Sequence, residues 1–189
     1  MLKLLIENIL VEVITMKTKY KALRDIICQT DERNSGVKVT KLMGVNLSKE
    51  FMPSVANIVG TDLSKYKIVR KGQFACKLMS VGRDIRLPIA FKRDDEPVII
   101  SSAYFSFKVK DEKEVLNEYL MMCFSRNEFD RELWFYSGGD VRGGINWETF
   151  CNVKIPLPPI QKQREIVKTY RIITDRIKLK KEINDNLAA

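Results

Sequence analysis

The sequence predicts an α+β fold, in which a mixed-sheet domain is followed by a long C-terminal helix of the coiled-coil type. Three observations indicate this class. Residues 97–110 are rich in β-branched and aromatic side chains, which is typical of strands. Residues 111–136 change to helical spacing and begin with acidic side chains, which the helix dipole favours. Pro158 and Pro159 then end the strand-rich part, and a helical pattern follows at once.

The predicted elements divide the chain into three parts. Residues 1–19 are an apolar extension, for which a packing helix, a strand and a translated leader before a true start at Met16 remain alternatives. Two glutamates interrupt this extension, so neither a signal peptide nor a membrane span fits it. Residues 20–157 alternate short strands with polar turns and a few helices, and residues 158–189 form the terminal helix.

The composition favours a nucleic-acid-binding protein of the reducing cytoplasm. The 189 residues carry a net charge of +9, which points to a polyanion such as nucleic acid or an anionic membrane face, although a solvated basic surface gives the same value. The sequence has no histidine, so the commonest general base and zinc ligand is missing. We expect no metal site, no cofactor and four buried thiols, at Cys28, Cys76, Cys123 and Cys151.

The positive charge is concentrated between residues 65 and 93. This stretch has nine lysines and arginines against one acid, Asp84, and so carries a charge of +8. Such a concentration predicts a face that neutralises DNA phosphates, and the loop at residues 80–86 offers arginines able to contact a guanine edge. The alternative is that half of these side chains simply point outward from strands. The predicted DNA-binding residues are Lys65, Lys67, Arg70, Lys71, Lys77, Arg83, Arg86, Lys92, Arg93 and, in a second loop, Arg142.

That second loop is rich in glycine and spans residues 136–146, YSGGDVRGGIN. Its backbone amides and Arg142 are suited to a phosphate, although a flexible connection between two helices explains the glycines equally well. The loop lacks the ending of a nucleotide-binding P-loop. A third candidate, the acids at residues 94–96, offers carboxylates for Mg²⁺ in a nuclease, or is simply an exposed turn before Pro97.

The terminal helix has an apolar stripe at coiled-coil spacing. The stripe steps by four, three and four residues and becomes polar towards residue 187. A helix with one such stripe needs a partner to cover it, unless it packs back onto its own domain. The residues predicted to dock a partner are Ile166, Tyr170, Ile173 and Ile177.

The segment VKIPLPPIQKQREIV, at residues 153–167, resembles the end of a target-recognition domain in the specificity subunits of type I restriction-modification enzymes. Four further segments match the order of elements in that family, so the resemblance covers residues 16–187. These segments are YKALRDI, GTDLSKYKIVRKGQF, VIISSAYFSFKV and GGDVRGGINWETF.

The resemblance implies a non-catalytic, sequence-specific DNA-binding subunit. Residues 20–157 would be the target-recognition domain and residues 158–189 a conserved helix for dimerisation and subunit docking. The implied partners are double-stranded DNA, the methyltransferase (modification) subunit and, through the complex, the restriction subunit. S-adenosylmethionine and ATP belong to those other subunits.

The chain also departs from the family pattern. Specificity subunits carry two recognition domains, whereas one is present here, so a natural half-subunit, a truncated gene and a fragment are the alternatives. A half-subunit is expected to form a symmetric homodimer through the helix, which would rebuild the pair. The alternatives are an adaptor that uses only its helix, and the recognition domain of a fused nuclease-methyltransferase.

Overall fold

A computed structural model describes residues 19–54, 60–138 and 143–187 of the chain. The expectations for residues 1–18 and for Arg142 lie outside these residues. The strands are β1 (Tyr20–Ala22), β2 (Ile27–Thr30), β3 (Met43–Val45), β4 (Phe51–Pro53), β5 (Lys67–Val69), β6 (Gln73–Cys76), β7 (Ile89–Phe91), β8 (Val98–Ile100), β9 (Phe105–Val109) and β10 (Lys154–Pro156). The helices are α1 (Leu23–Ile26), α2 (Val81–Asp84), α3 (Asn117–Phe124), α4 (Asn127–Tyr136), α5 (Trp147–Asn152) and α6 (Ile160–Leu187).

The centre of the fold is a four-stranded antiparallel sheet with the order β2-β9-β6-β7. Three two-stranded antiparallel ladders surround it, β1-β10, β3-β4 and β5-β8. An isolated parallel bridge joins Leu42 to Ile99. The α+β prediction is therefore confirmed. Among the described residues, no helix combines the length and the apolarity needed to cross a membrane.

The main core lies between the central sheet and helices α3 to α5. It is strongly aromatic: the rings of Phe74 and Phe107 stack at 5.0 Å between centroids, and Phe124 meets both edge-on. Such ring pairs add about 0.5–1.5 kcal/mol each beyond the free energy of area burial. The alternation of apolar residues along β6 and β9 thus supplies one face of the core.

Two predicted elements are interrupted in the structure. The strand-like run at residues 97–110 divides into β8 and β9, because residues 101–104 form a turn in which the amide of Tyr104 donates to the carbonyl of Ser101. The helical run at residues 111–136 divides into α3 and α4. Arg126, with φ −73° and ψ 145°, has extended backbone and separates the two helices.

Helix α6 begins at Ile160, directly after the proline pair, as the sequence predicted. Its first turns pack against the domain, since Ile166 and Val167 belong to the main core. The buried amide of Gln163 fixes this arrangement by accepting from the Leu116 backbone and donating to the carbonyls of Glu114 and Pro158. From residue 171 onward no described side chain is buried. Arg171 still lies 3.6 Å from Glu118, and Ile172 and Asp175 line a cleft between the helix and the domain, so the helix projects only beyond these residues.

Candidate nucleic-acid interface

The β6-β7 hairpin separates the basic residues into two groups at its opposite ends. Phe74 pairs with Phe91 and Cys76 with Ile89, so residues 70–73 and 92–95 lie at one end. Residues 77–88, which connect the two strands, lie at the other. We call the first the open end and the second the connection end. Paired strands of this length separate the two groups by roughly 10 Å or more.

Carboxylates pair with the cations of the open end. Arg70 makes a two-pronged ion pair with Glu32, at 2.6 and 2.8 Å. Arg93 lies 2.9 Å from Glu118, and Lys71 lies 2.9 Å from Asp95, which belongs to the open end itself. Much of the charge of +8 counted along residues 65–93 is therefore offset by acids that the fold brings to it and by the acids that directly follow it in the sequence.

Two of the residues predicted to bind DNA are buried. The side chain of Lys67 is 6% exposed, and its ammonium donates to the Tyr104 carbonyl at 2.8 Å and lies 3.3 Å from Asp31. The side chain of Lys92 is 4% exposed and pairs with Asp94. Lys65, by contrast, is exposed and 3.7 Å from Asp62. Because both ammonium groups are buried and already paired with carboxylates, Lys67 and Lys92 are not part of the candidate interface.

The connection end keeps cations at the surface. Arg83 is exposed and bonds its neighbour Asp84, at 2.7 and 3.0 Å. Lys77 lies 6.0 Å from the centroid of the Tyr104 ring, and Arg86 is exposed. Among the residues that the structure describes, no carboxylate lies within 4 Å of the charged groups of Lys77 and Arg86.

The glycine-rich loop packs directly against the connection end. The Gly82 amide donates to the carbonyl of Gly143 at 2.8 Å, and the Ile145 amide donates to that of Leu78 at 3.2 Å. A Cβ added to Gly144 would lie 2.5 Å from the Cα of Met79, so only glycine fits there. We call residues 77–86 and 143–146 together the double-loop surface.

A buried ion pair supports the double-loop surface from below. Lys49 and Asp130, whose side chains are 8% and 6% exposed, lie 2.7 Å apart. The same Asp130 oxygen accepts the Leu87 amide at 3.1 Å, while the Lys49 ammonium also donates to the carbonyl of Phe124. Sequence reasoning missed this pair, because the two residues are far apart in the chain and neither belongs to a motif.

A cleft of about 470 Å³ opens beside Lys77 and Met79. Its other walls are mainly apolar and aromatic, and include Tyr66 and Tyr104. At the end of α4, just before the glycine-rich loop, Phe135 and Tyr136 are also exposed. Stacking groups and cations thus lie near one another, which is the combination that nucleic-acid-binding surfaces use.

The acids at residues 94–96 do not form a free carboxylate cluster. Asp94 pairs with Lys92, Asp95 with Lys71, and Glu96 with Lys41. Within the described ranges, no group of three or more residues of metal-ligand type is close enough to hold an ion. Burial raises the pKa of the Cys123 thiol to about 12 and that of Cys76 further still, so neither thiol is activated. Three cysteines are buried as expected, whereas Cys28 is only partly buried.

The four residues of α6 that were predicted to dock a partner fall into two pairs with different surroundings. Ile166 is 3% exposed and lies in the core, and Tyr170 packs against that core, so the domain itself covers both. Ile173 and Ile177 lie beyond it and are half-buried. A second apolar stripe, which sequence reasoning did not identify, runs along another face of the projecting helix through the exposed residues Ile172, Leu179 and Ile183.

Comparisons with known proteins agree with this architecture. The type I restriction enzyme MjaVIII specificity subunit of Methanocaldococcus jannaschii is 26% identical over 157 residues, which make up 81% of this chain and 36% of that protein. The HsdS subunit of Thermoanaerobacter tengcongensis has the same fold over 96% of this chain and 45% of its own, with a TM-score of 0.59 at 15% identity. A chain from a structure of the type I R-M system gives a TM-score of 0.63 at 15% identity, over 98% of this chain and 47% of its own.

The chain thus spans less than half the length of the relatives it matches. The family model of the type I restriction modification DNA specificity domain matches residues 88–189, which is more than half of the sequence. That match includes β7 to β10, the glycine-rich loop and the terminal helix. The chain therefore belongs to the family of type I restriction modification DNA specificity domains.

Proposed function

We propose that this protein is the sequence-specific DNA-binding component of a type I restriction-modification system and has no catalytic step of its own. Residues 20–157 are the target-recognition domain, and the double-loop surface is the part that contacts double-stranded DNA. The observation that carries the proposal is the packing of residues 78–82 against residues 143–145 in a chain of this family. The arginine-containing loop and the end of the glycine-rich loop then form one surface rather than two separate tips.

The charges favour the connection end over the open end. A phosphate that approaches Arg70 must displace Glu32 from two hydrogen bonds, whereas Lys77 and Arg86 have no such competitor in the described part of the chain. Exposed ion pairs contribute only about 0–1 kcal/mol to the free energy of unfolding, so DNA phosphates can displace the carboxylates at the open end. The open-end cations can therefore add weaker, sequence-independent contacts with DNA. The four cysteines form no disulfide with one another, which fits a protein of the reducing cytoplasm.

The DNA-binding proposal is tested by selection from a random pool of DNA duplexes. The full chain is mixed with the methyltransferase subunit of its own system, and bound duplexes are sequenced after several rounds. We expect one motif to be enriched, and its binding to weaken steeply with salt, as phosphate contacts require. Failure to enrich any motif, with the complex shown to be assembled, would contradict the proposal. Cleavage of DNA by the purified chain with Mg²⁺ would contradict its non-catalytic part.

We further propose that the projecting part of α6 docks both a second copy of this chain and the methyltransferase subunit, through which the restriction subunit joins. Two apolar stripes support two contacts, because Ile173 and Ile177 lie on one face and Ile172, Leu179 and Ile183 on another. A two-fold dimer presents two recognition domains and favours an inverted-repeat target.

Glutamate substitutions separate the two stripes. We expect Ile173→Glu with Ile177→Glu to abolish one association, and Ile172→Glu with Leu179→Glu to abolish the other, because each places charge in an apolar contact. Light scattering measures the dimer and co-purification measures the methyltransferase. The matched control is Thr169→Glu, on the exposed side of the docked part of the helix. An unchanged mass together with unchanged co-purification would remove α6 from this role.

A further inference from the structure

Ile85, at the tip of the double-loop surface, has a backbone conformation that β-branched residues rarely adopt. Its φ of 54° and ψ of 12° lie in the left-handed region. There the branched side chain crowds its own backbone, so the conformation is uncommon unless the surroundings impose it. Two hydrogen bonds impose it here. The Ile85 amide donates to the Val81 carbonyl at 3.0 Å and so ends α2, and two residues later the amide of buried Leu87 donates to the Asp130 carboxylate.

The constrained backbone presents an apolar side chain to solvent. Ile85 is 53% exposed, between Arg83 and Arg86 in the sequence. Together with Arg86 and Arg131 it lines a groove of about 460 Å³ on the side of α4, to which Glu128 and Asp130 also contribute, and Glu128 lies 3.6 Å from Arg131. An exposed isoleucine beside guanidinium groups suits a partner that offers both anionic and apolar groups.

We propose that Ile85 is a specificity-determining residue that contacts the methyl group of a thymine in the major groove. This inference rests on the proposed function. Among the groups that base pairs expose in that groove, the thymine methyl is the apolar one, and the flanking arginines suit phosphates or guanine edges. A DNA contact made by the side chain would favour isoleucine at a position where asparagine or glycine would relieve the backbone strain.

The first test uses thermal unfolding to measure the strain. Ile85→Asn, which tolerates the left-handed region, is expected to raise the midpoint of unfolding, and Ile85→Ala to leave it near that of the wild type. Val37→Asn is the matched control, because Val37 is also β-branched, has φ 48°, is 45% exposed and lies outside the double-loop surface. Stabilisation by both asparagine variants, with weaker DNA recognition only for Ile85→Asn, supports the proposal.

The second test removes the methyl group from the DNA instead. The duplex selected by the wild-type complex is synthesised with uracil in place of each thymine in turn, which deletes only the methyl. At one position the affinity of the wild type for the duplex is expected to fall about fourfold, which corresponds to the free energy of burying one methyl-sized group. The affinity of Ile85→Ala is expected to be the same with thymine and with uracil at that position.

The outcomes separate the inference from the function on which it rests. If the wild type selects no motif, the proposed function fails. If the wild type selects a motif but tolerates uracil everywhere, or the motif contains no thymine, or Ile85→Ala remains equally sensitive to uracil, the thymine contact is overturned. The thymine contact is also overturned if Ile85→Asn no longer co-purifies with the methyltransferase subunit while its DNA affinity is unchanged. The side chain would then contact a protein rather than DNA.

Discussion

The two ends of the β6-β7 hairpin are both rich in cations, but their surroundings differ. At the open end, Arg70 and Arg93 each pair with a carboxylate from another segment, and Lys71 pairs with Asp95 of the open end itself. At the connection end, Lys77 and Arg86 keep their charge without such a partner among the described residues, and a second loop packs beside them. A concentration of charge in the sequence therefore does not by itself locate a binding face. What locates it is the set of acids that the fold brings, or does not bring, to each cation.

The largest expected effect comes from removing the support of the connection end. Asp130→Ala leaves the Lys49 ammonium buried without its carboxylate, and we expect a loss of about 3–5 kcal/mol in the free energy of unfolding. Urea denaturation followed by circular dichroism measures it. The matched change at the open end is Asp95→Ala, which removes one partner of an ion pair whose two side chains are both exposed, and it should cost far less. Equal losses would mean that the two ends are supported alike.

A smaller effect is expected when the two loops are forced apart. In Gly144→Ala the new Cβ collides with the backbone of Met79, so we expect about 1–3 kcal/mol lower stability and weaker DNA binding. Gly36→Ala is the control, because its Cβ would meet only the flexible side chain of Lys38 at 3.4 Å. Normal DNA binding by a folded Gly144→Ala variant would show that the loops need not pack together.

Reversing one charge at each end of the β6-β7 hairpin tests most directly which end contacts DNA. Arg86→Glu is expected to weaken binding of the selected duplex by roughly 1–3 kcal/mol and, if Arg86 contacts a base, to relax specificity at one position. Arg83→Glu should act in the same direction but less strongly, because Asp84 already accepts two hydrogen bonds from its guanidinium. Arg70→Glu should have a small effect on all sequences alike. Fluorescence anisotropy with the selected and scrambled duplexes measures both. A larger loss from Arg70→Glu would move the interface to the open end.

The smallest effect expected is a dependence of stability on pH. Hydrogen bonds from Arg70 and Arg83 hold the carboxyl pKa values of Glu32 and Asp84 below their ordinary values. Their contribution is therefore present above about pH 4, the pKa range of the unfolded chain, and is lost as the pH falls through the lower folded-state values. Glu32→Gln and Asp84→Asn should each lower stability at pH 6 by less than about 1 kcal/mol and match the wild type near pH 2. An unchanged midpoint of thermal unfolding at pH 6 would show that these pairs contribute nothing.

Much of the fold follows from the local sequence. Strand runs such as those around Phe74 and Phe107 and the start of α6 after Pro159 were predictable, because propensity and proline geometry act over a few residues. The sequence also identified both loops of the candidate interface. It did not show that they pack together, since that contact joins residues 78–82 to residues 143–145 across about sixty positions of chain.

The fold class, the family, the basic stretch and the helix with an apolar stripe all follow from the amino-acid sequence. The tertiary structure sets which cations remain available, because Lys67 and Lys92 are buried and acids from distant segments pair with others. It also decided where the terminal helix leaves the domain, since Gln163 and Ile166 are fixed by groups far away in the chain. Charge and apolarity are properties of residues, whereas their availability depends on long-range contacts that no local pattern encodes.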